Sequence, residues 1–280
     1  MPTRPPFRRR RLGARLQAMR LRAKMTLDDA AEALDKARST MHRIEQGETR
    51  VDIHLIRSMM DLYDQYEPDL LEQTRRAGKP GWWVTYGLQD LGYIDVETEA
   101  SVVRELSLLF IPGLLQTESY MRAFFAARRV RGSTANIENQ VKVRLIRQLR
   151  LTDSDDSLRL VALIDEAVLR KHVGGPEVMR KQLRHLILAS RLSTVTIQVL
   201  PDRAGAHDGM NGAFTMLSFP EPHDPEVLYV EYPTGSLHIE AENEVREAKL
   251  VFEHLASRAL DPEESIALIE RVLAEQYGPE

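Results

Sequence analysis

Leu12, Leu16, Met19 and Ala23 recur at intervals of three and four, the spacing of one buried stripe, which predicts a helix over Arg8 to Lys24. Thr26 supplies a side-chain oxygen ahead of LDDAAEAL, with Asp28 and Asp29 in a first turn where the helix dipole favours negative charge. The second helix predicted there is short, and Ala30 and Ala31 keep it slim. Asp35 to Ala37 interrupt the pattern before RSTMHRIEQ resumes it, with Met41 and Ile44 inward and Gly47 as a left-handed stop. DIHLIRSMMDLYDQY predicts a fourth helix, capped by Asp52 and carrying Ile53, Ile56, Met60 and Tyr63 at helical spacing. A fifth, PDLLEQTRRAG, opens on proline and closes on glycine.

The pattern then changes. GKPGWWVTYGLQDLGY marks a boundary near residue 80, and Trp82 and Trp83 are too large to be left in water, so they are expected to pack on a domain. Further on, SVVRELSLLFI, LRLVALI, VTIQVL, AFTMLSF and EVLYVEY read as strands. TESYMRAFFAARR, TANIENQVKVRLIRQLRL, PEVMRKQLRHLILASRL, NEVREAKLVFEHLASRAL and PEESIALIERVLAEQY read as helices among and after them. The expected fold is multidomain: an all-α domain over residues 8–78, a tryptophan-containing linker over 79–95, and an α/β or α+β domain over 96–280.

Charge divides the chain in the same way. Residues 1–50 carry 13 Lys and Arg against 6 Asp and Glu, a balance of +7, whereas the remainder is −11. A basic block suits a polyanion, because each cation laid on a phosphate releases condensed counterions. The absence of cysteine removes disulfides, thiolate metal sites and a thiol nucleophile. No run approaches the roughly 20 apolar residues of a membrane helix, and MPTRPPFRRRRLGARLQ has no apolar core of the kind a secretory signal needs. The expected location is the cytoplasm, on the nucleoid when DNA is bound, with no membrane partner.

Two short helices joined by about three residues and followed by others form a helix-turn-helix arrangement. LDDAAEALDKARSTMHRIEQGETR resembles the phage-repressor-like (XRE-type) class of regulators over roughly residues 8 to 77. The resemblance implies that the third helix enters the major groove of double-stranded DNA. Placed by that geometry, Arg38, Ser39, Thr40, His42 and Arg43 are the base-reading candidates. An arginine forked onto guanine contributes about 1–3 kcal/mol of discrimination. Thr26, Gln46 and Arg50 are candidates for phosphate. Arg8, Arg9, Arg10 and Arg11 read either as an arm along the backbone or minor groove, or as the polar start of the first helix. Asp35 stands at a turn position often held by glycine, and Ala37 where the third helix would carry a serine or threonine cap. One recognition helix reads only a few base pairs, so a homodimer on a palindromic operator is expected.

FIPGLLQTESY, DEAVLRKHVGGPEVMRKQLRHL, VTIQVLPDRAGAHDG, FTMLSF and VLYVEYPTGSLHIE, in that order, resemble the C-terminal domain of unknown function of many actinobacterial helix-turn-helix regulators. The resemblance covers most of residues 82 to 275. It implies an antitoxin-like or developmental regulator and a small partner protein encoded nearby. The leading expectation is a transcriptional regulator whose C-terminal domain binds such a partner or a ligand. The alternative is an antitoxin-like protein that mainly sequesters its partner and uses DNA for autoregulation.

An enzyme is not expected. HExxH, a Walker loop, GxSxG, GxGxxG and HxK pairs are all missing, and no cofactor, metal site or catalytic residue is assigned. AGAHDGMNG holds His207, Asp208 and Asn211 among three glycines, and with Trp82 and Trp83 these form the candidate ligand or partner pocket. The plainer reading of that loop is a long turn. Asp165, Glu166, Lys171 and His172 around a short helix are explained by surface ion pairs and a Gly-Gly cap, and DSDD at 153–156 by a loop.

Overall fold

In the computed structural model, which describes residues 5–88, 92–127, 134–221 and 224–278, the five expected helices are α1 (Phe7–Arg22), α2 (Leu27–Ala33), α3 (Arg38–Glu45), α4 (Ile53–Tyr63) and α5 (Asp69–Ala77). Their apolar stripes meet in one core that includes Leu12, Leu16, Met19, Ala30, Ala31, Met41, Ile44, Ile56, Met60 and Tyr63. Ile53 stays half-buried and Met59 takes an inward place instead, since the buried side of α4 lies one helical step further round. The local signals behave as their chemistry requires. Thr26 and Asp29 cap α2 reciprocally, and Asp52 Oδ1 accepts the Leu55 N–H at 2.9 Å. Asp35 adopts φ 51°, the left-handed conformation of the turn between α2 and α3, and Ala37 leaves α3 without a side-chain cap.

The segment expected as a linker is part of the head. The chain divides into two compact units between Glu99 and Ala100, so 79–95, of which residues 89–91 lie outside the described residues, belongs to the first. Trp82–Tyr86 form a 3-10 helix and Tyr93–Glu97 form α6, neither of which the apolar periodicity reveals because both are one turn long. Trp83 is buried within the head, and Trp82 Nε1 donates to Thr98 Oγ1 at 3.3 Å. The start of α1 has no cap of its own. Instead the buried Asp95 on α6 accepts the Phe7 N–H at 2.6 Å from 88 residues away.

The second unit is built on a six-stranded sheet of β1 (Val102–Ser107), β2 (Arg159–Asp165), β3 (Val195–Leu200), β4 (Phe214–Ser218), β5 (Val227–Tyr232) and β6 (Gly235–Ile239). Their order is β3-β2-β1-β4-β5-β6. β1, β2 and β3 are parallel, joined by α7 (Glu118–Ala126) and α8 (Thr134–Leu149), then by α9 (Glu166–Arg170) and α10 (Pro176–Ala189). β4, β5 and β6 are antiparallel. This mixed sheet satisfies the expected α/β or α+β class, with crossovers in the parallel half and hairpins in the other. The last two residues of the helix expected to run to residue 129 lie outside the described residues. α11 (Glu242–Arg258) packs Val245, Phe252 and Leu255 on Leu106, Leu163, Leu200, Met216 and Leu228, one face of the sheet, and α12 (Pro262–Tyr277) follows it. β6 was not among the expected strands, because GSLHI is too short and too polar to stand out. The Gly-Gly pair assigned to the end of α9 precedes α10 instead, with Gly175 at its N-cap.

Candidate nucleic-acid interface

Helix α3 has two unlike sides. Met41, Ile44 and Glu45 are buried, while Arg38, Ser39, His42, Arg43 and Gln46 are exposed and Thr40 is half-buried. Among the described residues the side chains of Ser39, Thr40, His42, Arg43 and Gln46 make no hydrogen bond or ion pair within the protein. Arg38 is the exception: its Nε lies 3.1 Å from Asp28 Oδ1 on the first turn of α2, with both side chains about two-thirds exposed. An ion pair so open to water contributes about 0–1 kcal/mol, so it orients Arg38 without competing strongly against a nucleic acid.

Buried contacts set the depth and tilt of α3. Arg20 on α1 forms a bidentate pair with Glu45, Nε to Oε1 at 2.6 Å and Nη2 to Oε2 at 2.9 Å, and its Nη1 donates to the Met25 carbonyl at 2.8 Å. Both side chains are less than a tenth exposed. The bond to Glu45, opposed by burial, raises the Arg20 guanidinium above its ordinary value. Beside them burial, with the Glu45 charge adding and Arg20 opposing, pushes the Tyr63 hydroxyl up to about 12. Glycine permits the helices to touch: a Cβ on Gly13 would sit 2.4 Å from the Glu45 carbonyl oxygen, and one on Gly47 2.7 Å from the Arg10 nitrogen. Gly47 also holds φ +70° at the exit of α3. Sequence reasoning did not single out Arg20, Glu45 or Gly13, although the signal was present. Arg20 follows Leu16 by four and Glu45 follows Met41 by four, so each charge falls on an apolar stripe and needs a buried partner.

Arg8 to Arg11 form the polar start of α1, one of the two readings that the sequence leaves open. Phe7 is buried and starts α1, so these residues are its first turn. Arg8 Nε meets Glu99 at 2.5 Å and Arg11 Nη1 meets it at 3.7 Å, while Arg10 Nε donates to the Pro5 carbonyl and its guanidinium lies over the Phe7 ring. Glu99, barely exposed, draws Arg8 and Arg11 inward. Arg9 differs. Its Nη1 donates to the Glu48 carbonyl at 3.3 Å, and it lines a shallow hollow with Arg50, Gly13, Ile44 and Thr49 beside the exit of α3. Burial, then the Arg50 charge, hold the Arg9 guanidinium below its ordinary value against an opposing pull from Asp95. Two cations that repel each other suit an anion between them. Thr26 offers less than expected for phosphate, since its hydroxyl donates to Asp29 Oδ2 at 2.6 Å and accepts the Asp29 N–H at 3.1 Å.

Residues 11–73 match the family model for a helix-turn-helix domain, and residues 91–271 match the model for a domain of unknown function, DUF5753. The chain belongs to the DUF5753 family. Its head is a helix-turn-helix DNA-binding domain of a regulator. No curated protein and no solved structure matches the chain. Among the described residues no helix is long and apolar enough to cross a membrane.

The candidate pocket of Trp82, Trp83, His207, Asp208 and Asn211 is not brought together within either unit. The tryptophans are built into the head, whereas residues 204–212 form a connector in the DUF5753 unit. Arg258 fastens that connector by donating to the Ala206 carbonyl at 3.0 Å and to the Ala204 carbonyl. A Cβ on Gly209 would stand 2.9 Å from Leu255 and 3.0 Å from His207 Nδ1, so this glycine lets the loop lie flat on α11. Asp208 and Asn211 are exposed. Asp153 caps its own turn by accepting the Asp155 and Asp156 N–H groups, which lowers its pKa. Glu166 is likewise engaged: burial opposes its ionisation, but Arg170 and the Asp202 N–H outweigh it and hold the carboxyl below its usual range. Among the described residues no group of three or more His, Cys, Asp or Glu is placed to hold a metal ion.

Proposed function

We propose that this protein is a sequence-specific regulator of transcription that acts by binding rather than by catalysis. In this reading α3 lies in the major groove, Arg38 and Arg43 read guanine, Ser39, Thr40 and His42 contact neighbouring base edges, and Arg9, Gln46 and Arg50 meet the flanking phosphates. The observation that carries it is the outer side of α3: a row of donors with almost no internal partners, on a helix fixed from behind by Arg20–Glu45, inside a segment that matches the helix-turn-helix model. The operator is a palindrome read by a homodimer. The second unit, which has its own core and sheet, serves as the sensor and takes a small partner protein or ligand.

The test is a mobility-shift assay on the DNA upstream of the protein's own gene, at two salt concentrations, with Arg38→Ala combined with Arg43→Ala. Preference for the operator over unrelated DNA should fall by about 1–3 kcal/mol for each guanine that is no longer read. Arg50→Ala should weaken operator and unrelated DNA alike and flatten the salt dependence. Unchanged selectivity in a folded double variant would remove the recognition-helix assignment. For the second unit, full-length protein used as bait should retain a small neighbouring gene product; retention of DNA alone would count against a protein partner.

A further inference from the structure

The two ends of the six-stranded sheet are finished differently. At β3 the outward backbone groups of Val199 are occupied: Ser265 Oγ accepts the Val199 N–H at 2.9 Å, and the Leu260 N–H donates to the Val199 carbonyl at 2.9 Å. Gln198 Nε2 adds a bond to the Leu260 carbonyl at 3.0 Å. The chain leading into α12 thereby covers that edge at Val199. At the other end β6 stands last in the order, held to β5 with Leu237 opposite Val230. Leu237 is 51% exposed and Tyr232, at the adjoining turn, 44%. An outermost strand of this kind is a template for another strand, and natural edges are commonly guarded by lysine, proline or inward-pointing charge. Gly235–Ile239 contain none of these.

We propose that β6 is where two copies of this chain join, antiparallel about Leu237, into one continuous sheet. The strand is complementary to itself. A two-fold axis through this position sets Leu237 against Leu237 of the partner subunit, Ser236 against the partner's His238, and Gly235 against the partner's Ile239. Apolar meets apolar, polar meets polar, and the residue without a side chain meets the β-branched one. Charge agrees with this arrangement. Glu240, Glu242 and Glu244 follow the strand at one end only, so the two-fold places the two acidic clusters at opposite ends of the joined strands. Leu237 shares a face with Ile239, which packs in the core beneath α11, and the joined pair extends that apolar layer. The choice of a second copy as occupant takes from the DNA-binding reading its need for two recognition helices.

The chain has no cysteine, so Leu237→Cys introduces a lone thiol. Facing residues of an antiparallel pair lie about 4.5–5.5 Å apart at Cα, within disulfide reach. Oxidised full-length Leu237→Cys should run as a covalent dimer on non-reducing electrophoresis, while Leu188→Cys, similarly exposed on α10, should stay monomeric. Leu237→Lys, which opposes two ammonium groups, should raise the dimer dissociation constant in sedimentation by about tenfold or more with an unchanged circular dichroism spectrum. A wild-type chain that sediments as a monomer throughout, including one whose β6 edge pairs with a different protein, overturns the proposal. So does a wild-type dimer that Leu237→Cys fails to lock. Neither assay contains DNA, so failure of operator binding and failure of this interface are separate results.

Discussion

The head and the DUF5753 unit both carry conspicuous polar residues, but they use them in opposite directions. On α3, Ser39, His42 and Arg43 face outward without internal partners, whereas Gln116 and Gln182 in the second unit are almost wholly enclosed and tie chain segments together. Gln182 Oε1 accepts the Thr117 N–H at 2.7 Å and its Nε2 donates to the Leu115 carbonyl at 2.7 Å. Gln116 Nε2 donates to the Ile111 carbonyl, and Arg144 Nη1 reaches Gln116 Oε1. The FIPGLLQTESY stretch is therefore internal fastening.

The contrast can be broken most severely where the head buries the paired charges of Arg20 and Glu45. Glu45→Ala leaves the Arg20 guanidinium without its carboxylate and should cost the head about 3–5 kcal/mol. Both tryptophans lie in the head, so their emission during urea denaturation follows that unit; an unmoved midpoint would show the pair to be dispensable. Gln182→Ala strands the buried Leu115 carbonyl and the part-buried Thr117 N–H and should cost the second unit about 1–3 kcal/mol. It should leave the tryptophan transition in place while the far-ultraviolet circular dichroism transition moves down, and a shift of both together would refute independent interiors.

The smallest effect concerns Asp95. Burial raises its pKa, outweighing the Phe7 N–H and the nearby Arg10 and Arg8. A carboxyl raised in the folded state contributes its full stability below the unfolded value, about 3.9, and loses it as pH rises through the folded value. The advantage of wild type over Asp95→Asn, whose amide oxygen can still accept from Phe7, should therefore grow as pH is lowered from 7 toward 4. Paired tryptophan-monitored melts across that range check the sign; an advantage that shrinks on acidification would mean the ionised form is the one the fold favours.

Much of the head was legible because its signals are local. Spacing located five helices, Thr26 and Asp52 announced their caps, and Asp35 and Gly47 took the left-handed conformations read from the chain. The exposed side of α3 followed from the same periodicity. What could not be read there were partnerships across long separations: Asp95 for Phe7, and Glu99 for Arg8 and Arg11. In the second unit five strands were legible from β-branched runs, but strand order, the edge position of GSLHI and the inward duty of Gln116 and Gln182 were not, since each depends on what stands beside it.

The sequence by itself determined the five longer helices of the head, five of the six strands, which side of each is apolar, and which donors of α3 stand opposite its buried residues, because these follow from the 3.6- and 2-residue repeats of the backbone. Only the tertiary structure decided which charges are spent: Arg8 and Arg11 on Glu99, Arg20 on Glu45, with Arg9 left beside Arg50. The physical reason is that an arginine's availability depends on whether a carboxylate from a distant part of the chain arrives within about 4 Å of it, and no periodicity records that meeting.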